Sequence, residues 1–557
     1  MRTKIILVIL LLFSFGLKSK ASHIMGGEIT WTCLGSGNYE FKLVLYRDCN
    51  GLDIIDPTLN IEVWGHPSVT SIPCNLTEQV DLSPSCTEVA GSPSELACGT
   101  GTGAGTGPGA IEKYVYTSAP VTLSGIPPTT GWKFTYDSFS RNWDLTNIAT
   151  PASYGLTLWS VMYPIEGAPA GTCIDDSPQF AQDPYVIMCE GTDFAYDPNC
   201  FDPNNDDLEF SWGIPYDHFP SGTFNPPANP IPVPFTAGFS SINPTPDGSF
   251  AAGNIPASMD NESGIITFTS NTSGNFGLVQ QINSSRGGEV NATVNREVQM
   301  IVIPCPGYAN TAPTITPPFG GATTFEAEFF AGDLINFDII ISDLEVLQDG
   351  TPQTVTLNPS GSYFGDGFTN PALGCDYLPC ATLSTAPIIS GVQGLTTTFN
   401  WQTSCDHLLD ADGVQAAEQT YSFVLNAQDD YCSVPGRTFE TIRITLKNKA
   451  MIDGVDLHCV DVKDNGDVEL TWGKTTDVGS SFDSYEVWSL EDGFLASIAD
   501  INIESYLHAG AAADVSSKNY YVVTKFGCAG LNALNSDTLE TMFMNLNDMG
   551  DGRINLT

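Results

Sequence analysis

The chain has 557 residues, with 20 basic against 64 acidic, a formal net charge of −44 at neutral pH. A surface that negative repels phosphate backbones and anionic lipid, which argues against nucleic acid and membrane headgroups as partners. With 53 glycines and 37 prolines the chain is too turn-rich for a helical protein and too long for one domain, so the expected fold class is all-β, as tandem β-sandwich modules in an elongated rod.

Residues 1–21 read as a signal peptide. Arg2 and Lys4 make a basic start, residues 5–15 an apolar core, and Ser19 and Ala21 place small side chains at −3 and −1. The apolar run is too short to span a bilayer, and no later stretch is long and apolar enough to do so. Cleavage removes Arg2, Lys4, Lys18 and Lys20, so 20 bases less these four face 64 acids, a balance of about −48. The expected location is outside the cell, at its surface or in the medium.

The mature chain opens on residues 22–51. Two runs of alternating side chains, 27–33 and 39–47, flank Leu34-Gly35-Ser36-Gly37-Asn38, and this reads as an antiparallel hairpin. A first sandwich is expected over 22–172, with further strands at 60–64, 111–116, 120–124, 132–136 and 154–162. The Gly-rich stretch 99–109 lacks the Lys-Ser/Thr of a phosphate loop and reads as a loose surface loop. Within this domain Ser22, His23, Gly26, Gly27, Glu28, Ile29, Thr30 and Cys33, then Tyr46, Arg47, Asp48 and Cys49, form a pattern that resembles the opening of large exported surface proteins of Bacteroidota, of the gliding-motility-associated and type IX-secreted kind. Gly131-Trp132, Ser140-Arg141-Asn142 and Thr146-Asn147-Ile148 extend the resemblance through the domain. It implies export by the type IX machinery and a surface role linked to gliding motility, and it implies no particular chemistry.

A second module is expected over 173–309. Asp175-Asp176-Ser177-Pro178-Gln179-Phe180 resembles the linker before a cadherin repeat, and Asp202-Pro203-Asn204-Asn205-Asp206 resembles the cadherin turn that enters a strand. A third, cadherin-like or Ig-like, is expected over 310–449, where Asn310-Thr311-Ala312-Pro313 resembles the same linker without its acids. Residues 332–341 parallel 191–196, giving an internal repeat of about 135 residues. A fourth module, 450–540, resembles fibronectin type III, with Trp472 as its core tryptophan on the strand 468–472 and further strands at 485–488 and 520–523. The Asp-Asn-Gly-Asp turn at 464–467 recurs as Asp-Met-Gly-Asp at 548–551, so 541–557 reads as the start of a further, truncated module.

Calcium takes six to eight hard oxygens, and Asp202, Asn204 and Asp206 have the alternating spacing that aims three side chains at one centre. Asp175 and Asp176 would join from the linker and stiffen the joint. The competing reading is an acidic turn capping strand ends. That reading is favoured at Asp343 and Glu345. Apart from calcium, no cofactor is expected.

Fifteen cysteines in an exported chain point to disulfides, with one left over. Cys33 and Cys49 lie near opposite ends of the hairpin, roughly 30 Å apart at about 3.3 Å per residue, and cannot bond to each other. Pairs local to a module are expected: Cys405–Cys432 and Cys459–Cys528.

No catalytic residue is assigned. The six histidines show no paired-ligand spacing, and neither a GxSxG elbow nor a Ser/Lys hydrolase motif occurs. Tyr46, Arg47 and Asp48 read as a strand end fixed by a nearby disulfide. The expected function is therefore non-catalytic, in adhesion or surface architecture, with a surface glycan or protein as ligand. The alternative is a secreted glycan-binding protein, with Trp64, Trp132, Trp143 and Trp159 as stacking candidates, or the accessory region of a larger secreted enzyme.

Overall fold

The computed structural model describes residues 23–557 except 166, 168–171, 185, 186, 205, 306, 308, 309, 376, 386–388, 410–413, 450, 478, 479, 529–531, 545, 549–553 and 557. The segment read as a signal peptide lies outside the described residues, as does most of the repeated turn at 548–551. The chain is all-β and folds into several sheets, with short 3-10 turns at Pro151–Ser153, Asp366–Phe368 and Cys405–Leu408.

The opening hairpin forms as its alternation requires. Ile24–Gly35 pairs antiparallel with Asn38–Asp48, with Ile29 opposite Leu43 and Trp31 opposite Phe41, all four fully buried. The first strand is buried along both faces up to Trp31, which a simple two-sided strand would not be. The reason lies far along the chain. Glu289–Ile303 carries Gly274–Arg286 on one edge, and on the other it meets Leu156–Met162 at Ala292, Thr293 and Val294, Ile24–Gly35 at Glu297, and Ile187–Cys189 at Ile301, Val302 and Ile303.

These pairings close a circuit. From Ile24–Gly35 the order runs through Asn38–Asp48, Ile111–Ser118, Ser71–Asp81, Thr58–Trp64, Trp132–Ser138, Leu156–Met162 and Glu289–Ile303, and returns to Ile24–Gly35. The last strand of the 173–309 segment thus completes the sheet that the 22–172 segment begins.

Residues 310–449 form a sandwich. A four-stranded sheet, ordered Thr314–Thr316, Leu334–Ser342, Gly394–Gln402, Thr382–Leu383, faces a five-stranded one built around Glu418–Gln428 and Arg437–Lys447. Phe399 and Trp401 from one sheet meet Tyr421 and Phe423 from the other, with ring centroids 5.0–5.5 Å apart. In 450–540, Leu457–Val462, Val468–Trp472 and Ser505–His508 make one sheet. Gly493–Ile498, Phe482–Ser489, Asn519–Phe526 and Asn532–Asn535 make the other. Trp472 and Tyr485 are buried between them, as the fibronectin type III resemblance implies.

Six disulfides form: Cys33–Cys173, Cys49–Cys98, Cys86–Cys432, Cys189–Cys305, Cys375–Cys380 and Cys405–Cys528. Cys33 and Cys49 indeed take separate partners. Both expected local pairs are corrected. Cys459 lies exposed on the strand Leu457–Val462, while Cys528 is buried, at the end of its own sheet, and bonds Cys405 of the preceding sandwich. Cys432 is taken by Cys86, at the tip of an excursion between Ser71–Asp81 and Ile111–Ser118.

That excursion also hydrogen-bonds the third segment. Gln428 Nε2 donates to Ser85 O at 3.0 Å and Thr87 N to Asp430 O at 2.8 Å. Val424, Val434 and Phe439 share a core with Met25, Tyr46 and Leu96. The first and third segments thus touch directly. The Gly-rich stretch is docked as well: Gly103 N donates to Gly51 O at 2.7 Å and Gly105 N to Cys49 O at 3.0 Å. A Cβ on Gly105 would lie 2.8 Å from the Cys49 carbonyl carbon, so glycine there permits the close approach.

Candidate functional site

Three of the five expected calcium ligands converge. Carboxylate oxygens of Asp175, Asp202 and Asp206 lie within 4.8 Å of one another, with Asp175 and Asp202 buried. Asp175 Oδ2 has no hydrogen-bond partner. Asp176 and Asn204 point elsewhere: Asp176 Oδ1 accepts from Cys33 N at 2.5 Å, and Asn204 Oδ1 accepts from Asp176 N at 2.8 Å. Arg286 brings one positive charge to the cluster. Its Nε lies 2.6 Å from Asp206 Oδ1 and its Nη2 3.1 Å from Asp175 Oδ1. Ser284 Oγ donates to Asp202 Oδ2 at 2.7 Å.

One guanidinium against three carboxylates leaves the cluster negative. Burial, with Asp202 and Asp206 close by, pushes the Asp175 carboxyl well above the carboxylate range, and burial pushes Asp202 up to about 7. The cluster is thus short of a positive charge, which a proton or a cation can supply. Arg286 bonds two of the three carboxylates, so an ion bound by the cluster would compete with it. Nor is 175–180 a hinge. Trp31 N donates to Ser177 Oγ at 2.9 Å and Trp31 Nε1 to Asp175 O at 3.1 Å, beside the Cys33–Cys173 bridge.

At Asp343 and Glu345 the capping reading describes the contacts. Glu345 N donates to Asp343 Oδ1 at 2.9 Å, and Glu345 accepts from Thr311 N at 2.7 Å. The neighbouring Asn310 donates to the buried Asp429 at 2.7 Å, and burial pushes Asp429 up to about 7.

A second polar centre was not anticipated. Arg296, fully buried on Glu289–Ile303, reaches Glu28 Oε2 at 3.3 Å, Tyr196 OH at 2.9 Å and Tyr46 OH at 3.2 Å, and Tyr46 OH donates to Glu28 Oε1 at 3.0 Å. The next residue, Glu297, pairs with the buried Arg141, whose Nε donates to Gly155 O at 2.6 Å. Asn142 Nδ2 donates to Gln299 Oε1 at 3.0 Å, and Asn147 Nδ2 to Gly277 O at 2.8 Å. The residues of the Ser-Arg-Asn and Thr-Asn-Ile motifs thus read out one face of the 274–303 hairpin. Only the unusual charge in an otherwise apolar strand, Arg296-Glu297 before 298–303, could have signalled it.

Arg47 is a third buried cation, 2.7 Å from both Asp53 and Glu112 and 2.9 Å from Tyr114 OH. With Cys49–Cys98 beside it, this fixes the strand end as the sequence reading expects.

The tryptophans do not make one platform. Trp132 is core, and Trp64 and Trp159 lie beneath Phe219 and Phe224, with ring centroids about 6 Å apart. Trp143 alone of the four is exposed, at 42%. Histidines 23, 66, 407 and 508 sit against aromatic rings at 4.6–5.8 Å.

No protein-family model matches the chain, and no curated protein matches it. Among solved structures it is similar to three domains from titin, at 10% identity over 66% of this chain and 98% of that one, with a TM-score of 0.16. It is similar to domains 1–6 of the surface layer protein SbsC at 9% identity, over 97% and 67%, with a TM-score of 0.14. It is also similar to cadherin-like domains 1 to 4 of zebrafish RET at 10% identity, over 72% and 86%, with a TM-score of 0.19. Superpositions this loose fix neither a family nor a function.

Proposed function

We propose that this chain is an exported, non-catalytic protein of the cell surface, serving adhesion or surface architecture. The observation that carries the reading is the set of six disulfides, four of which join residues more than a hundred positions apart in sequence. Such bonds persist in oxidising surroundings outside the cell. The signal-like start of the sequence agrees, and no helix among the described residues is long and apolar enough to cross a membrane. The motif from His23 to Cys49 supports a place among type IX-exported surface proteins associated with gliding.

Calcium belongs to the same proposal. Asp175, Asp202 and Asp206 would hold the ion, which would compete with Arg286 for these carboxylates and bind the strand end at Cys33 to the turn at 202–206.

Protease treatment of intact cells tests the location. Loss of the protein from intact cells, with a cytoplasmic marker retained, is the expected result. Survival of the protein until the cells are lysed would overturn the reading.

A further inference from the structure

The disulfides interleave. Cys86 lies inside the loop closed by Cys49–Cys98, and Cys405 lies inside the loop closed by Cys86–Cys432. Cys405 in turn bonds Cys528. With Cys33–Cys173, the loops overlap so that every residue from 33 to 528 lies within at least one of them.

Overlap has a mechanical consequence that separate loops do not have. A chain pulled from both ends extends only until its shortest covalent route is taut. Here that route runs from the start to Cys49, crosses to Cys98, returns to Cys86, crosses to Cys432, returns to Cys405, crosses to Cys528 and leaves. Between residues 23 and 557 it contains roughly 94 residues, and at about 3.4 Å per residue plus three bridges it is about 340 Å long. Without disulfides the same chain would reach about 1,800 Å at the same rise.

We propose that these interleaved bridges make the protein an extension-limited tether. Load applied at its two ends passes through the short route, and the residues off that route, between Cys98 and Cys405 and between Cys432 and Cys528, are shielded from extension. Cys86–Cys432 is the decisive bridge. Without it the shortest route runs through Cys33–Cys173, Cys189–Cys305 and Cys405–Cys528 and lengthens to about 540 Å. The inference deepens the surface role, because only an anchored chain is pulled, yet the length limit belongs to the purified molecule and is measured without cells.

The test is single-molecule stretching of residues 23–557 between tags fused at both ends. Without reductant, full unfolding is expected to end at a contour of about 340 Å; with dithiothreitol in the chamber, at about 1,800 Å; and for the Cys86→Ser/Cys432→Ser variant without reductant, at about 540 Å. The contour of the unfolded chain does not depend on how stable the variant is. A non-reduced chain that extends far beyond about 340 Å, or a variant no longer than the parent, would overturn the proposal. Loss of the protein from shaved cells bears on the surface reading alone.

Discussion

Gly27 pairs with Glu297, and through that pairing the opening strand and the strand Glu289–Ile303 become neighbours in one sheet. Gly26, beside it, has φ +152°, and a Cβ there would lie 1.9 Å from Glu297 O. A Cβ on Gly27 would lie 2.1 Å from Val44 O. The glycine pair is therefore required by backbone on both sides of the strand. Gly26→Ala should cost about 4 kcal/mol or more, the range of severe backbone and core lesions. Urea unfolding checks this; a loss within about 0.5 kcal/mol would mean the strand is not enclosed.

Arg296 and Glu28 form a buried ion pair, so removing one partner strands the other. Arg296→Met alone should cost about 3–5 kcal/mol, and pairing it with Glu28→Gln should restore part of the loss. A double-mutant cycle by chemical denaturation gives the coupling. Strict additivity would show that the two side chains do not interact.

Burial raises Asp202 to about 7, so its folded value stands above its unfolded one. A raised carboxyl gives stability that is present at low pH and lost as pH rises through the folded value. Stability should therefore fall between about pH 4 and 8, and Asp202→Asn should show a shallower fall over that window. Because the whole chain is acidic, the comparison of variant with parent is the informative quantity. Equal slopes for the two would place the Asp202 carboxyl in water.

Arg286 bonds Asp206 at 2.6 Å and Asp175 at 3.1 Å, two of the three carboxylates that would hold a calcium ion. Arg286→Gln should lower the melting temperature in chelator and raise the gain on adding calcium above that of the parent. Binding the folded state at 100 times the dissociation constant is worth about 2.7 kcal/mol, a shift of several degrees in one domain. A calcium response absent from both proteins would rule out the ion at this cluster.

Strands were legible wherever alternation was clean. The opening hairpin lies where the period-two pattern places it, and Val468–Trp472 where the fibronectin type III resemblance does. The relationships between segments were not legible. Arg296 and Glu28 meet only through a sheet closed over some 270 residues of sequence, and no local pattern encodes which edge a long strand will fill. Disulfide partners are a property of the assembled fold in the same sense. Cys405 and Cys432 are neighbours in sequence, but their sulfurs are committed to Cys528 and Cys86. At the acidic cluster the spacing of Asp202 and Asp206 was informative, whereas Arg286, arriving from a distant strand, was invisible.

The most direct test is a disulfide map of the native protein. Intact cells are treated with an alkylating agent to block free thiols, the surface is digested with protease without reductant, and the released peptides are identified by mass. The account predicts peptides joining Cys86 to Cys432 and Cys405 to Cys528, with Cys459 alkylated. Peptides joining Cys405 to Cys432, or Cys459 to Cys528, or a protein whose cysteines are all alkylated, would contradict it.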